Sequence, residues 1–149
     1  MKIDIEENAA LRETEVLIRC RKADERIASI VSSLQMHDLR VAGKSDGETV
    51  SVPAGAILYI ECVDGRTFAY TQDAVLELSL RLHELEDRLE GASFVRIAKN
   101  CLANICRIRS LRPYVGARLL ATMDNGEEIV VSRRYAKQLK TVLGIGREA

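Results

Sequence analysis

Apolar positions along the chain change period several times, and each change marks an element. Residues 1–13 are charged and show no period, and Glu15 to Arg21 (EVLIRCR) is β-branched and predicts a strand. From Ala23 the apolar residues become Ala23, Ile27, Ile30, Val31 and Leu34, a single helical stripe with Glu25, Arg26, Ser29 and Ser33 off it. This predicts a helix to about Leu39. Val41 to Val52 then reads as a hairpin about Ser45-Asp46-Gly47, ended by Pro53, which lacks a backbone donor. Ile57 to Val63 (ILYIECV) is the most strand-like segment of the chain, and Asp64-Gly65 turns it back into a partner strand, Thr67 to Thr71. Leu78, Leu82, Leu85 and Leu89 return to helical spacing, with Arg81, Glu84, Asp87 and Arg88 facing away. Glu84 and Arg88 are spaced for an i,i+4 ion pair, and Gly91 supplies a helix stop.

The next stretch, Phe94 to Ile108 (FVRIAKNCLANICRI), mixes strand alternation with cations. Phe94 and Arg96 point one way and Val95 and Ile97 the other. The chain then turns through Ala98, Lys99 and Asn100 and resumes as an apolar segment running into Arg107 and Arg109. Leu119 to Met123 and Glu128 to Val131 flank Asp124-Asn125-Gly126, a strong hairpin signal. Ser132 stands where a helix N-cap belongs, and the last helix runs from about Arg133 to Leu143, burying Ala136, Leu139 and Leu143. Gly144 and Gly146 end it, and the terminal Arg-Glu-Ala is expected to fray.

The formal charge of the 149 residues is zero, but it is unevenly placed. Phe94 to the end holds eleven Lys or Arg against four Asp or Glu, a net +7, while the first 93 residues carry −7. Either the second half meets a polyanion or the two halves pair with each other. Two strands, at Phe94 and at Ile129 (IVVSRRY), run straight into basic residues. Together they predict one positive surface that binds DNA. No run of about 18 apolar residues exists to span a membrane, and the acidic N-terminus is not a signal peptide. The four cysteines (Cys20, Cys62, Cys101, Cys106) form no CxxC pair and have no matching histidines. They are expected to be small buried residues of a reducing cytoplasm, not metal ligands. A thiol switch through Cys101 and Cys106 is a lesser alternative.

ILYIECVDGRTFAYT, the leucine-striped helix, FVRIAKNCLANICRI with its following S-L-R-P, and NGEEIVVSRRY occur in an order that resembles the LytTR DNA-binding family. The likeness covers residues 43 to 145, and its most specific parts are F-x-R-I…N and the closing S-R-x-Y. It implies a mostly β (α+β) fold: an elongated antiparallel β-sandwich with short helices, over residues 43–146. A strand–helix extension, residues 1–42, precedes it and is too small to hold a core alone. The resemblance further implies a bacterial transcription regulator whose loops enter the grooves of double-stranded DNA at direct-repeat or paired sites. Arg134 takes the position of a DNA-contacting arginine, Lys99 and Asn100 lie in a second contact loop, and Arg66 and Thr67 occupy a third. The family pattern often has His where this chain has Ala98, which removes a donor from the second loop. A stand-alone regulator, not a receiver-linked one, is expected, with a homodimer formed through the extension. Partnership with a membrane protein is implied by family resemblance only.

Several residues carry readings of their own. Ser132 at an N-cap would set free N–H groups and a positive helix end beside Arg133 and Arg134. Arg133, Lys137 and Lys140 fall on one face of that helix, suited to phosphate. Asn104 is expected to bond the backbone where its segment bends. Glu61 is expected in a partly buried salt bridge. For catalysis the chain offers little: His37 and His83 lie on charged helix faces, and no GxSxG, HExxH or phosphate loop is present. No enzyme activity, cofactor or small-molecule substrate is expected. The competing reading is a protein-interaction module of the same fold that has lost specific DNA binding.

Overall fold

The computed structural model describes residues 1–89 and 93–144. Helix α1 spans Glu25–Asp38, and Asp24 caps it by accepting from the backbone N–H groups of Arg26 and Ile27. Strands β1 (Arg40–Ser45) and β2 (Glu48–Pro53) form the predicted hairpin, and β3 (Ile57–Val63) and β4 (Arg66–Thr71) form the next. Both are closed by Asp-Gly pairs with two successive positive φ angles: +51° and +78° at Asp46-Gly47, +51° and +76° at Asp64-Gly65. Such turns match the twist of the strands they join. Then follow β5 (Val75–Leu78), α2 (Leu82–Arg88), β6 (Phe94–Ala98) and β7 (Cys101–Asn104). The chain closes with β8 (Ile108–Tyr114), β9 (Arg118–Met123), β10 (Glu128–Val131) and α3 (Arg133–Val142).

The strands make two antiparallel sheets, one of seven strands in the order β2-β1-β5-β4-β3-β7-β6 and one of three in the order β10-β9-β8. Helix α2 packs one face of the large sheet, where Leu82, Leu85 and Leu89 meet Ile57, Ile60, Leu76 and Leu102. On the opposite face Leu58, Tyr59, Ile97, Cys101 and Ala103 meet Leu119, Ala121, Met123 and Val131 of the small sheet, with Ala136 and Leu139 of α3. Strand β7 is buried on both faces, which is why CLAN carries no charge. A register shift in β3 between Ile57 and Tyr59 lets the neighbours Leu58 and Tyr59 serve the same core.

Several expectations are corrected. Glu15 to Arg21 forms no strand: the segment has no regular secondary structure, Val16 and Leu17 are exposed, and no strand among the described residues pairs with it. Its composition favours β structure, but a strand needs a neighbour to satisfy its backbone. The leucine-striped helix begins at Leu82, because Leu78 belongs to β5 and pairs with Thr67. Glu84 accepts from the N–H of Arg81 at 3.2 Å, so it serves the helix start instead of Arg88. Strand β8 is absent from the sequence reading, because IRSLRPY is basic, contains Pro113 and lies at a sheet edge, where a missing donor is tolerated. Glu61 is half-buried between Phe68 and Cys101 on the neighbouring strands and makes no ion pair among the described residues. Gly144 ends α3 with φ +70° as expected, while Gly91, Gly146 and the terminal Arg-Glu-Ala lie outside the described residues.

Asn104 is fully buried where the chain leaves the large sheet for the small one. Its Nδ2 donates to the Ile57 carbonyl at 2.9 Å and its Oδ1 accepts from the Cys106 N–H at 3.0 Å. Asn104→Ala leaves both backbone groups without partners, and the expected loss is about 2–3 kcal/mol. Urea unfolding should show a lower midpoint with an unchanged slope.

Candidate nucleic-acid interface

Strand pairing sets the cationic turns side by side. Strand β3 runs antiparallel to β7 with Glu61 opposite Cys101. Beyond that pair, the Cys62 N–H donates to the Asn100 carbonyl at 2.9 Å, and Asn100 Nδ2 donates to the Cys62 carbonyl at 3.2 Å. The Lys99-Asn100 turn therefore abuts the Asp64-Gly65 turn. On the other side, the Ser132 N–H donates to the Ile97 carbonyl at 2.8 Å, which seats the start of α3 against the end of β6. The Arg66, Lys99 and Arg133-Arg134 segments thus form a row at one end of the sheets. Arg66 and Lys99 are two to three strand spacings apart, about 10–14 Å, on the scale of the ~12 Å DNA major groove.

The individual side chains differ in what they have to offer. Lys99, Arg133, Arg134 and Lys137 are exposed and have no carboxylate partner among the described residues. The Arg134 guanidinium lies 5.5 Å from the Tyr135 ring centroid. Ser132 occupies the N-cap position, but its side chain makes no capping bond. Its carbonyl accepts from Tyr135 and Ala136, so the N–H groups of Arg133 and Arg134 belong to the unpaired set at a helix start. Asn100 is exposed, though its amide nitrogen is engaged by Cys62 and acts as a clasp between turns. Ala98 is half-buried beside the register shift of β6 and contributes no donor there.

Arg66 is exposed but engaged. Its Nε and Nη2 reach the two oxygens of Glu77 at 3.1 and 2.5 Å, and its guanidinium lies 5.3 Å from the Phe68 ring centroid. These hydrogen bonds hold the Glu77 carboxyl below its ordinary range. At the surface such a pair is weak and screened by salt, so a phosphate can replace the carboxylate. Thr67 is only 5% exposed, and its side chain is turned into the sheet and away from the row.

Other cations of the second half are consumed internally. Arg96 makes a forked pair with Glu86 at 3.1 and 3.2 Å and donates to the Lys99 carbonyl, which fixes the turn without facing outward. Arg107 donates to the Gly55 carbonyl at 2.7 Å and pairs with Asp124, at the opposite end of β3. Arg112 pairs with Glu128. Among the described residues only Arg96–Glu86 joins the two oppositely charged halves, so mutual neutralisation does not account for the asymmetry.

A fourth basic segment, not evident from the sequence pattern, joins them. Leu119 pairs with Val131, and Tyr114 with Arg118, so the tip of the β8–β9 hairpin lies beside the start of α3. There the Arg118 guanidinium rests 4.9 Å from the Tyr114 ring centroid, and its Nε donates to the Val115 carbonyl at 2.8 Å. Its sequence signal is Arg118 just after Gly116, which marks a turn only once Ile108–Tyr114 is known to be a strand.

The cysteines also need correction. Cys20 and Cys106 are exposed, Cys62 is half-buried and Cys101 alone is buried. Exposure follows position: Cys106 sits in a short turn between sheets, and Cys20 in the unpaired N-terminal segment. Burial first, then the nearby Glu61 carboxylate, pushes the Cys101 thiol up to about 12. Strand β7 holds Cys101 and Cys106 roughly 10 Å or more apart along the chain, which is too far for a disulfide.

The sequence model of the LytTr DNA-binding domain family matches residues 47–144. Among curated proteins, the sensory transduction protein LytT of Bacillus cereus is 31% identical over 113 residues, 76% of this chain and 45% of that protein. LytT of Bacillus anthracis is 35% identical over 89 residues, covering 60% of this chain and 36% of that protein. LytT of Bacillus subtilis is 32% identical over 102 residues, covering 68% and 42%. The chain thus spans less than half the length of these relatives. A solved LytTr DNA-binding domain from Bacillus cereus superposes with a TM-score of 0.67 at 28% identity, covering 71% of this chain and 97% of that one.

Titration with a thiol-reactive dye near neutral pH should modify Cys20 and Cys106 first and Cys101 last, because a neutral buried thiol is a poor nucleophile. Stability carried by the protonated Cys101 is present below about pH 9, where the unfolded thiol ionises, and is lost as the pH rises through about 12. Equal modification rates for all four would contradict the assigned burial.

Proposed function

Because this chain belongs to the LytTR DNA-binding family, we propose that it is a cytoplasmic transcription regulator that recognises specific sequences in double-stranded DNA. The family is one of DNA-binding domains, not of enzymes, and no helix among the described residues is long and apolar enough to cross a membrane. The observation that carries the reading is the row of turns: Lys99, Arg133, Arg134 and Lys137 stand exposed and, among the described residues, unpaired on neighbouring segments, with Arg66 beside them. Lys99, Arg133 and Lys137 supply charge to phosphates. The planar fork of Arg134 suits guanine O6 and N7. Arg66 joins by exchanging Glu77 for a phosphate, while Asn100 keeps the two turns in register. Residues 43–146 form the DNA-binding unit, and residues 1–42 serve to join two copies into a homodimer. Two linked copies engage paired sites far more tightly than one. The membrane-protein partner implied by resemblance is not part of this proposal.

Gel shifts against DNA from the chain's own upstream region test the reading. Arg134→Ala should weaken specific binding by about 1–3 kcal/mol and relax selectivity at one base pair. Lys99→Ala should weaken binding to every sequence alike and lower the salt dependence by about one counterion. Glu77→Gln, which removes the internal competitor for Arg66, should tighten binding. A folded chain that retards no fragment at low salt would instead support an interaction module without DNA binding.

A further inference from the structure

Helix α1 turns its apolar stripe away from its own domain. At about 100° per residue, Met36 lies half a turn around the helix from Ile27, and Met36 is the buried residue of α1, set beside Gly55. Ile30, Val31 and Leu34 fall on the Ile27 side. Val31 and Leu34 are 38% and 36% exposed, Ile27 and Ile30 are half-buried, and none of the four belongs to either core. In the preceding segment Val16 and Leu17 are themselves 61% and 77% exposed and Ile18 is half-buried.

We propose that this outward face of α1 is the contact between two copies of the chain, packed antiparallel. The proposal names the surface of the homodimer introduced above and rests on that reading. The stripe is self-complementary about its midpoint: with the helices opposed, Ile27 meets Leu34 of the second copy and Ile30 meets Val31. Charges agree with the same register. Asp38 comes level with Lys22 of the second copy. A parallel pairing would set each acidic helix start against its like, which is unfavourable, whereas opposed helices also oppose their dipoles.

The position of α1 fits this use. It rests on the turn Ala54–Ala56 that opens β3, whereas the Asp64-Gly65 turn closes the other end of that strand. Seven strand residues separate the two by about 23 Å. Joined through α1, both copies keep their cationic turns uncovered.

Sedimentation velocity of the full chain without DNA, from about 1 to 100 µM, should show a dimer. Val31→Glu and Leu34→Glu place a charge in the contact and should raise the dissociation constant at least about tenfold, with affinity for a single half-site unchanged. A chain that is monomeric throughout, or variants that dimerise as well as the parent, would overturn the proposal. A disulfide test fixes the register and does not depend on how the glutamate variants fold. With Cys20 and Cys106 replaced by Ser, Ile27→Cys and Leu34→Cys chains should cross-link when mixed and not when separate. Self-linking of each variant alone would exclude the antiparallel arrangement. A monomer that still retards DNA defeats this proposal and leaves the DNA-binding reading intact; a dimer that retards none does the reverse.

Discussion

Strand β7 has no free side: β3 and β6 pair with its two edges, Leu102 packs toward α2, and Cys101 and Ala103 pack toward the small sheet and α3. Any shift of these four residues would disturb both cores together, and close-packed interiors resist such shifts. At one end Asn104 ties the strand to Ile57 and Cys106, and at the other Asn100 ties the turn to Cys62. Lys99 and the start of α3 inherit their positions from this strand through Arg96 and Ile97. Contacts held in place before binding lose little freedom on binding, so their charge is spent on the ligand instead of on ordering a loop.

The sequence made the paired elements easy to read wherever composition and turn chemistry agreed. Asp46-Gly47, Asp64-Gly65 and Asn125-Gly126 each mark a hairpin, and Ile57–Val63 is a strand by any pattern. Pattern misleads where tertiary context decides. Glu15 to Arg21 has strand composition but no partner among the described residues; Ile108–Tyr114 has a partner but lacks the composition. Leu78 fits a helical spacing by coincidence, because β5 and α2 both direct leucines into one core.

Charge was legible as a total and misleading in detail. The excess of cations in the second half is present, yet Arg96, Arg107 and Arg112 spend theirs on Glu86, Asp124 and Glu128. Sequence order cannot reveal this, since each pair closes over ten residues or more of chain. The same holds for the candidate contacts. Thr67 and Arg66 are neighbours in sequence, but strand alternation turns Thr67 inward and leaves Arg66 outside, held by Glu77.

A dimer joined through the outward face of α1 would constrain the DNA it can occupy. Opposed helices are related by a dyad, and the bodies attached to them share that dyad. A palindromic site would be met symmetrically, whereas tandem half-sites in one orientation would require one body to swivel about its helix. Only Leu39 separates α1 from β1, and the buried Met36 braces the junction, so the hinge is short and stiff. The geometry of one helix pair would therefore select which spacings and polarities of half-site a dimer can occupy at once.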